Sequence, residues 1–283
     1  MSLQTLSEWL RCPICFRDLA AREPLVLACV NGHAFDVNKR GFVSLIAGSR
    51  KLQADSPAML DARDRFLGAG WYSQLRTTLA DAVGAVQPSR LIDIGCGTGY
   101  YLDGVLDGTR ATAALGMDLS SAAVARTVRG VGQRHPSASV DGLVADVWSP
   151  LPIRDAVADV ILNVFAPRNP PEFHRLLRAD GVLAIVVPQD THLAELRSAG
   201  MMLDVQADKA ALLVDSLAGH FALEERIPVA TTMTLSPADV AGLVGMGPSA
   251  HHHTGVGNPE QNGDHHWSVS AAFELLVFRR KAA

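Results

Sequence analysis

No apolar run in the 283-residue chain approaches the roughly 20 residues that a bilayer-spanning helix requires, so a membrane partner is not expected. The opening Met1-Ser2-Leu3-Gln4 has no basic region followed by an apolar stretch, and no secretory signal is read there. Cysteine is scarce, with only Cys12, Cys15, Cys29 and Cys96, and three of the four cluster near one histidine. Such spacing speaks against a disulfide framework and for a metal site in a reducing compartment, so the expected location is cytoplasmic. An excess of charge of one sign is also missing. The net charge of −4 gives no global signature of nucleic-acid binding.

What is present fits one large α/β domain with small additions. Residues 1–55 carry seven basic residues (Arg11, Arg17, Arg22, Lys39, Arg40, Arg50, Lys51) against five acids. That small surplus fits a phosphate-facing surface or simply a solvated face. Residues 8–48 read as a compact metal-held unit, with short strands near 25–27 and 35–37, and 49–56 as a polar linker. The module and linker (1–56) precede a domain spanning 57–283, entered through two helices within 57–86 that part at Gly68-Ala69-Gly70. From Arg90 strands and helices alternate. Strands are expected at 90–94, 112–117, 139–145, 157–163, 181–187, 221–231 and 269–279. Helices are expected at 99–107, 120–130, 170–178, 192–199, 207–219 and 236–244, which makes a doubly wound sheet finished by an antiparallel strand. The stretch 246–267 reads as loop, and its histidines (His251, His252, His253, His265, His266) as surface rather than a second metal site.

Cys12-Pro13-Ile14-Cys15, thirteen residues, then Cys29-Val30-Asn31-Gly32-His33 form a C-x₂-C-x₁₃-C-x₃-H pattern. Zinc favours four tetrahedral N/S ligands, and a complete set leaves no open position, so the ion would be structural. The bland alternative is a cluster of buried thiols, which gives His33 no reason to sit at that spacing. Whether the module touches RNA or only folds the N-terminus is left open by the spacing, but Lys39, Arg40, Arg50 and Lys51 just beyond the site favour contact.

Leu91-Ile92-Asp93-Ile94-Gly95-Cys96-Gly97-Thr98-Gly99-Tyr100 is an apolar strand, an acid and a glycine-rich turn before a helix. Glycine permits close approach of backbone to a ligand. A dinucleotide fingerprint wants a sixth-position glycine where this chain has Tyr100. Asp93 beside the turn suits a cationic cofactor such as S-adenosylmethionine better than a diphosphate. Asp118 ends the next strand and can accept from ribose hydroxyls, or cap the helix that follows. Asp146 ends the strand after that and can receive an adenine amino group. Beyond the fourth strand, Asn163-Val164-Phe165-Ala166-Pro167-Arg168-Asn169-Pro170-Pro171 would face the transferring methyl group. There Asn163, Phe165 and Pro167 could position a planar base edge. The bland alternative is a proline-rich turn that simply starts the next helix.

With these motifs in place, the chain resembles the RlmA family of 23S rRNA guanine-N1 methyltransferases, nearest its TlrB-like, tylosin-resistance branch. The resemblance rests on the zinc pattern with Gly32-His33-Ala34-Phe35-Asp36-Val37, on Ala62-Arg63 and Gly70-Trp71-Tyr72, and on the glycine turn. It extends through Asp146-Val147-Trp148, the Asn163–Glu172 run, His192-Leu193-Ala194-Glu195-Leu196 and Met246-Gly247-Pro248-Ser249. It implies a class I Rossmann-like methyltransferase sheet with an N-terminal zinc-binding module. Cys12, Cys15, Cys29 and His33 would bind one structural zinc. Tyr72, Tyr101, Leu102 and His192 would contact the cofactor beside Gly95, Gly97 and Gly99. It further implies a homodimer acting on a domain II hairpin of 23S rRNA, with a contribution to macrolide resistance in that branch. Guanine N1 would attack the sulfonium methyl group, and no general base is assigned. Two rival readings remain: a small-molecule methyltransferase with zinc as a fold staple, and a non-catalytic zinc-dependent RNA-binding protein. A nicotinamide-dependent dehydrogenase comes last, because of Tyr100.

Overall fold

In the computed structural model the described residues are 3–46, 54–202, 208–247 and 266–282. Arg50, Lys51 and the histidines at 251–253 and 265 lie outside them. The chain begins with helix α1 (Leu3–Trp9) and strands β1 (Ala20–Arg22), β2 (Val26–Ala28), β3 (Ala34–Asn38) and β4 (Phe42–Ser44). Helices α2 (Pro57–Gly68) and α3 (Ser73–Gly84) follow, then β5 (Arg90–Ile94), α4 (Tyr100–Asp107), β6 (Ala113–Asp118), α5 (Ser121–Arg134) and β7 (Ser139–Val144). The remainder is β8 (Ala158–Val164), α6 (Pro170–Leu176), β9 (Leu177–Pro188), α7 (Ala194–Ser198), α8 (Lys209–Leu217), β10 (Phe221–Leu235), α9 (Pro237–Gly245) and β11 (Trp267–Arg280).

Strands run in the order β1-β2-β3-β4-β7-β6-β5-β8-β9-β11-β10. The five strands β7-β6-β5-β8-β9 are parallel, and β11 enters antiparallel between β9 and β10. The order reverses at β5, where chain leaves in opposite directions and a crevice opens beyond the carboxyl ends of the strands. Side-chain alternation divides the core in two. Ile92, Ile94, Leu115, Leu143 and Ile161 meet α1, α6 and α8 on one face. Leu91, Ala114, Val160, Leu162 and Ala184 meet α3, α4, α7 and α9 on the other. The central parallel strands are mostly apolar on both sides, as burial between two helical layers demands, whereas β10 exposes every other residue along much of its length.

The N-terminal strands extend this sheet. β4 pairs in parallel with β7, placing Phe42, Val43 and Ser44 opposite Gly142, Leu143 and Val144. A Cβ on Gly142 would lie 2.5 Å from Val124 and 2.7 Å from Phe42, so only glycine lets β4 and α5 close on β7. Polar contacts add to the joint. Arg154 donates to the carbonyls of Leu10 and Leu19, and the Arg90 guanidinium lies 3.9 Å above the Trp9 ring. Neither α1, β1 nor β4 is expected from the sequence pattern. The helix starting after Gly99 and the two entry helices fall where periodicity places them. The expected helix at 192–199 is shorter, because Leu193 takes a left-handed φ of 54° just before α7.

Candidate metal centre and cofactor crevice

The four zinc-pattern residues converge. Cys12, Cys15, Cys29 and His33 bring one ligand atom each to within 4.8 Å of one another. The Cys15 and Cys29 sulfurs are 3.7 Å apart, and His33 Nδ1 lies 3.4 Å from Cys29 Sγ and 3.5 Å from Cys12 Sγ. Zinc–sulfur bonds of about 2.3 Å in a tetrahedron imply sulfur–sulfur edges of about 3.8 Å and slightly shorter sulfur–nitrogen edges. The donors already stand at those edges, so the residues fit the ion. The second turn closes through the Gly32 amide, which donates to the Cys29 carbonyl at 3.1 Å, with Gly32 at a φ of 84° that disfavours other residues. The Arg17 amide holds the Cys15 thiol down to about 6, a thiolate-favouring setting, whereas burial pushes Cys12 up.

The glycine turn joins β5 to α4. Gly95, Gly97 and Gly99 all have positive φ, at 82°, 53° and 82°. At Gly95 the space is also closed, since a Cβ would stand 2.4 Å from that of Ala166 in the loop after β8. The turn and the loop beyond β8 are therefore in contact. Asp118 lies at the end of β6 with both carboxylate oxygens engaged, Oδ2 by the Gly97 amide at 3.0 Å and Oδ1 by the Ser120 amide at 2.9 Å. The cap of α5 is Ser120, whose hydroxyl accepts from Ala123, so Asp118 holds the turn rather than capping the helix.

Asp93 is buried, and its carboxylate receives no hydrogen bond or ion pair among the described residues. Burial, and then the charge of Asp118, push it up to about 7. A buried acid without a cation is a poor structural element and a good site for an ammonium or sulfonium. The Tyr101 hydroxyl is likewise buried without a partner among the described residues. Asp146 ends the next strand and binds the Trp148 amide at 3.0 Å and the Ser149 hydroxyl at 3.3 Å. Cys96 is buried, its thiol pushed well up by desolvation, and it packs against Thr127.

One wall of the crevice is aromatic. Tyr101 meets Phe165 edge-on at 6.2 Å, Phe165 meets Phe273 at 5.4 Å, and Phe273 contacts Tyr72 at 4.8 Å and His192 at 4.5 Å. Leu102 is fully buried behind them. Burial, helped by Arg197, pulls His192 down to about 4, so its ring is neutral near pH 7. The Ala272 amide donates to its Nδ1 at 3.3 Å, which leaves Nε2–H as the donor.

The loop after β8 is fixed from inside. Asn163 is buried and donates from Nδ2 to the Ile94 and Pro167 carbonyls at 3.4 and 3.0 Å, while its Oδ1 has no partner among the described residues. Its amide N–H groups therefore shape the loop, and only Oδ1 is left for a ligand. Phe165 is 44% exposed and adopts a φ of 55°.

Sequence reasoning missed Arg63. Its NH1 lies 3.1 Å from where a Gly97 Cβ would be, and it is held by Asp55 at 2.6 Å and the Met246 carbonyl at 2.8 Å. The Ala62-Arg63 pair marks it in sequence, but nothing in helical spacing says that it overhangs the turn.

The strand order, the glycine turn and the acid-lined crevice define an S-adenosylmethionine-dependent methyltransferase domain, and a methyltransferase-domain family matches residues 91–181. The N-terminal zinc ribbon of the RlmA family matches residues 10–52. Over 248 residues the chain is 43% identical to a 23S rRNA (guanine(748)-N(1))-methyltransferase of Streptomyces fradiae, covering 86% of each. It is 38% identical to a candidate 23S rRNA (guanine-N(1)-)-methyltransferase of Micromonospora griseorubida, covering 86% of this chain and 87% of that one. Among solved structures, a candidate methyltransferase of Bacillus halodurans shares the fold at a TM-score of 0.51 and 12% identity, covering 72% of this chain and 99% of that chain. The chain belongs to the RlmA family of 23S rRNA (guanine-N1)-methyltransferases. No helix among the described residues is long and apolar enough to cross a membrane.

Proposed function

We propose that this chain methylates N1 of a guanine in a domain II hairpin of 23S rRNA, with S-adenosylmethionine as donor, and that it works as a homodimer. The observation that carries this reading is the 43% identity, over 86% of both chains, to the Streptomyces fradiae enzyme. S-adenosylmethionine supplies a methyl group already activated by the sulfonium, so the protein's task is orientation. Asp93 and the turn Gly95, Gly97 and Gly99 hold the amino-acid end of the cofactor. Asp118 receives the ribose, Asp146 the adenine, and Tyr72, Tyr101, Leu102 and His192 close the apolar side. Cys12, Cys15, Cys29 and His33 hold a structural zinc.

On the substrate side, Phe165 stacks on the base, and Asn163 with Pro167 sets the loop so that Oδ1 of Asn163 can accept an N–H from the guanine edge. Guanine N1 sheds its proton to solvent or a backbone carbonyl, since the loop carries no carboxylate or histidine between 163 and 171. The base must be unpaired to be reached, which favours a hairpin loop over a duplex. Primer extension on 23S rRNA from cells with and without the gene tests this. Methylation at N1 blocks pairing and should stop reverse transcriptase at one guanine only when the gene is present. Identical stops in both would refute the proposal.

A further inference from the structure

Trp148 is 67% exposed, the largest aromatic side chain left in solvent among the described residues, and nothing in the packing of the fold explains it. Its backbone is nevertheless hydrogen-bonded in place. The Trp148 amide and the Ser149 hydroxyl both bind the Asp146 carboxylate, and the Val147 carbonyl accepts from Asn169 Nδ2 at 2.8 Å. That last bond ties the turn after β7 directly to the loop after β8. On that second loop Arg168 is half-buried, with its Nε lacking any hydrogen-bond partner and its guanidinium lacking any ion pair among the described residues. The turn after β7 thus carries a solvent-facing indole on a hydrogen-bonded backbone, and the loop tied to it carries a half-buried cation, close to Lys209, with no ion pair among the described residues. A solvent-facing apolar ring and, on the tied loop, a cation without an ion-pair partner complement the two parts of an unpaired nucleotide, a base face and a phosphate.

We propose that Trp148 is a stacking platform for an unpaired nucleobase flanking the methylated guanine, with Arg168 receiving an adjacent phosphate. The inference rests on the rRNA reading above. It assigns to these two loops a share of RNA recognition separate from cofactor binding.

The test uses the full-length protein with the variants Trp148→Ala, Trp148→Phe and Arg168→Gln. Titration calorimetry with S-adenosylhomocysteine and methylation kinetics on a 23S rRNA hairpin transcript provide the readouts. Trp148→Ala should bind S-adenosylhomocysteine within about twofold of wild type while its KM for RNA rises about 5- to 100-fold, the range of base–aromatic stacking losses. Trp148→Phe, which keeps a stacking face, should restore most of that loss. Arg168→Gln should make the salt dependence of RNA binding shallower, by about 0.7 in the log–log slope for one phosphate contact. If Trp148→Ala is thermally unstable, Trp148→Gln replaces it with the same expectation. An unchanged KM for RNA, or a matching loss of S-adenosylhomocysteine affinity that would make Trp148 a lid over adenine, overturns the platform. An unchanged salt slope overturns the role of Arg168. Wild-type protein inactive on rRNA would defeat the underlying reading itself; active wild type with an equally active Trp148→Ala defeats only this inference.

Discussion

The Gly97 amide donates to the Asp118 carboxylate at 3.0 Å, so the acid that ends β6 holds open the turn that follows β5. The same carboxylate binds Ser120, so one side chain couples two strand ends. Hydrogen bonds to charged groups contribute about 1.5–3 kcal/mol each. Asp118→Ala leaves both amides without that acceptor and also removes the proposed ribose partner. Its affinity for S-adenosylhomocysteine should fall about 10- to 100-fold by calorimetry, with Asp118→Asn intermediate because one amide oxygen can still accept.

Cofactor binding should depend on pH, with Asp93 as the proposed ammonium partner. Its folded-state value of about 7 lies above the ordinary 3.8, so the ligand-free protein keeps a proton there that the unfolded chain has lost. Stability from this group is fully present below about pH 4 and is lost as pH rises through 7, an effect on the order of 2–4 kcal/mol. Binding an ammonium requires the carboxylate. Affinity for S-adenosylhomocysteine should therefore drop toward tenfold per pH unit below about 7 and level off above it. Asp93→Asn should melt roughly 5–10 °C higher at pH 8 without ligand and bind none. A flat pH profile would remove Asp93 from the site.

Gly95→Ala tests the contact between the turn and the loop after β8. The new methyl would meet Ala166 at 2.4 Å on a backbone at φ 82°. Strain of this kind and overpacking each cost about 1–3 kcal/mol. The variant should fold, melt lower, and lose methyl transfer more than a hundredfold; full activity would mean that turn and loop are not in contact.

Zinc removal should destabilise the whole chain rather than release a loose module. The metal ligands Cys12 and Cys29 share one core with Ile92, Leu143 and Ile161 of the central sheet. Treatment with a strong chelator should lower the melting temperature by roughly 10 °C or more, in a single calorimetric transition. Two separate transitions would show that the N-terminal strands unfold independently of β7.

The sequence makes the central sheet legible because each of its strands is an apolar run bounded by a turn, and β5 is placed at 90–94 to the residue. Legibility fails where elements are short or their partners distant. β1 and β4 have three residues each, too few to show alternation, and β4 finds its partner β7 about a hundred residues downstream. α1 has seven residues, and its spacing of Leu3, Leu6 and Trp9 gains meaning only against the sheet. In the site, the zinc ligands and the glycine turn are legible because their chemistry fixes both residue type and spacing. Asn163 is legible as a position but not as a role. Only the fold shows that its amide donates to Ile94 and Pro167, not outward.

The atom that receives the methyl group decides the function. Purified protein should be incubated with S-adenosylmethionine and unmodified 23S rRNA, and the RNA then digested to nucleosides for mass spectrometry. A guanine-N1 methyltransferase yields 1-methylguanosine, absent when either the protein or the methyl donor is left out. No methylated nucleoside, or methylation confined to another base position, would contradict that function.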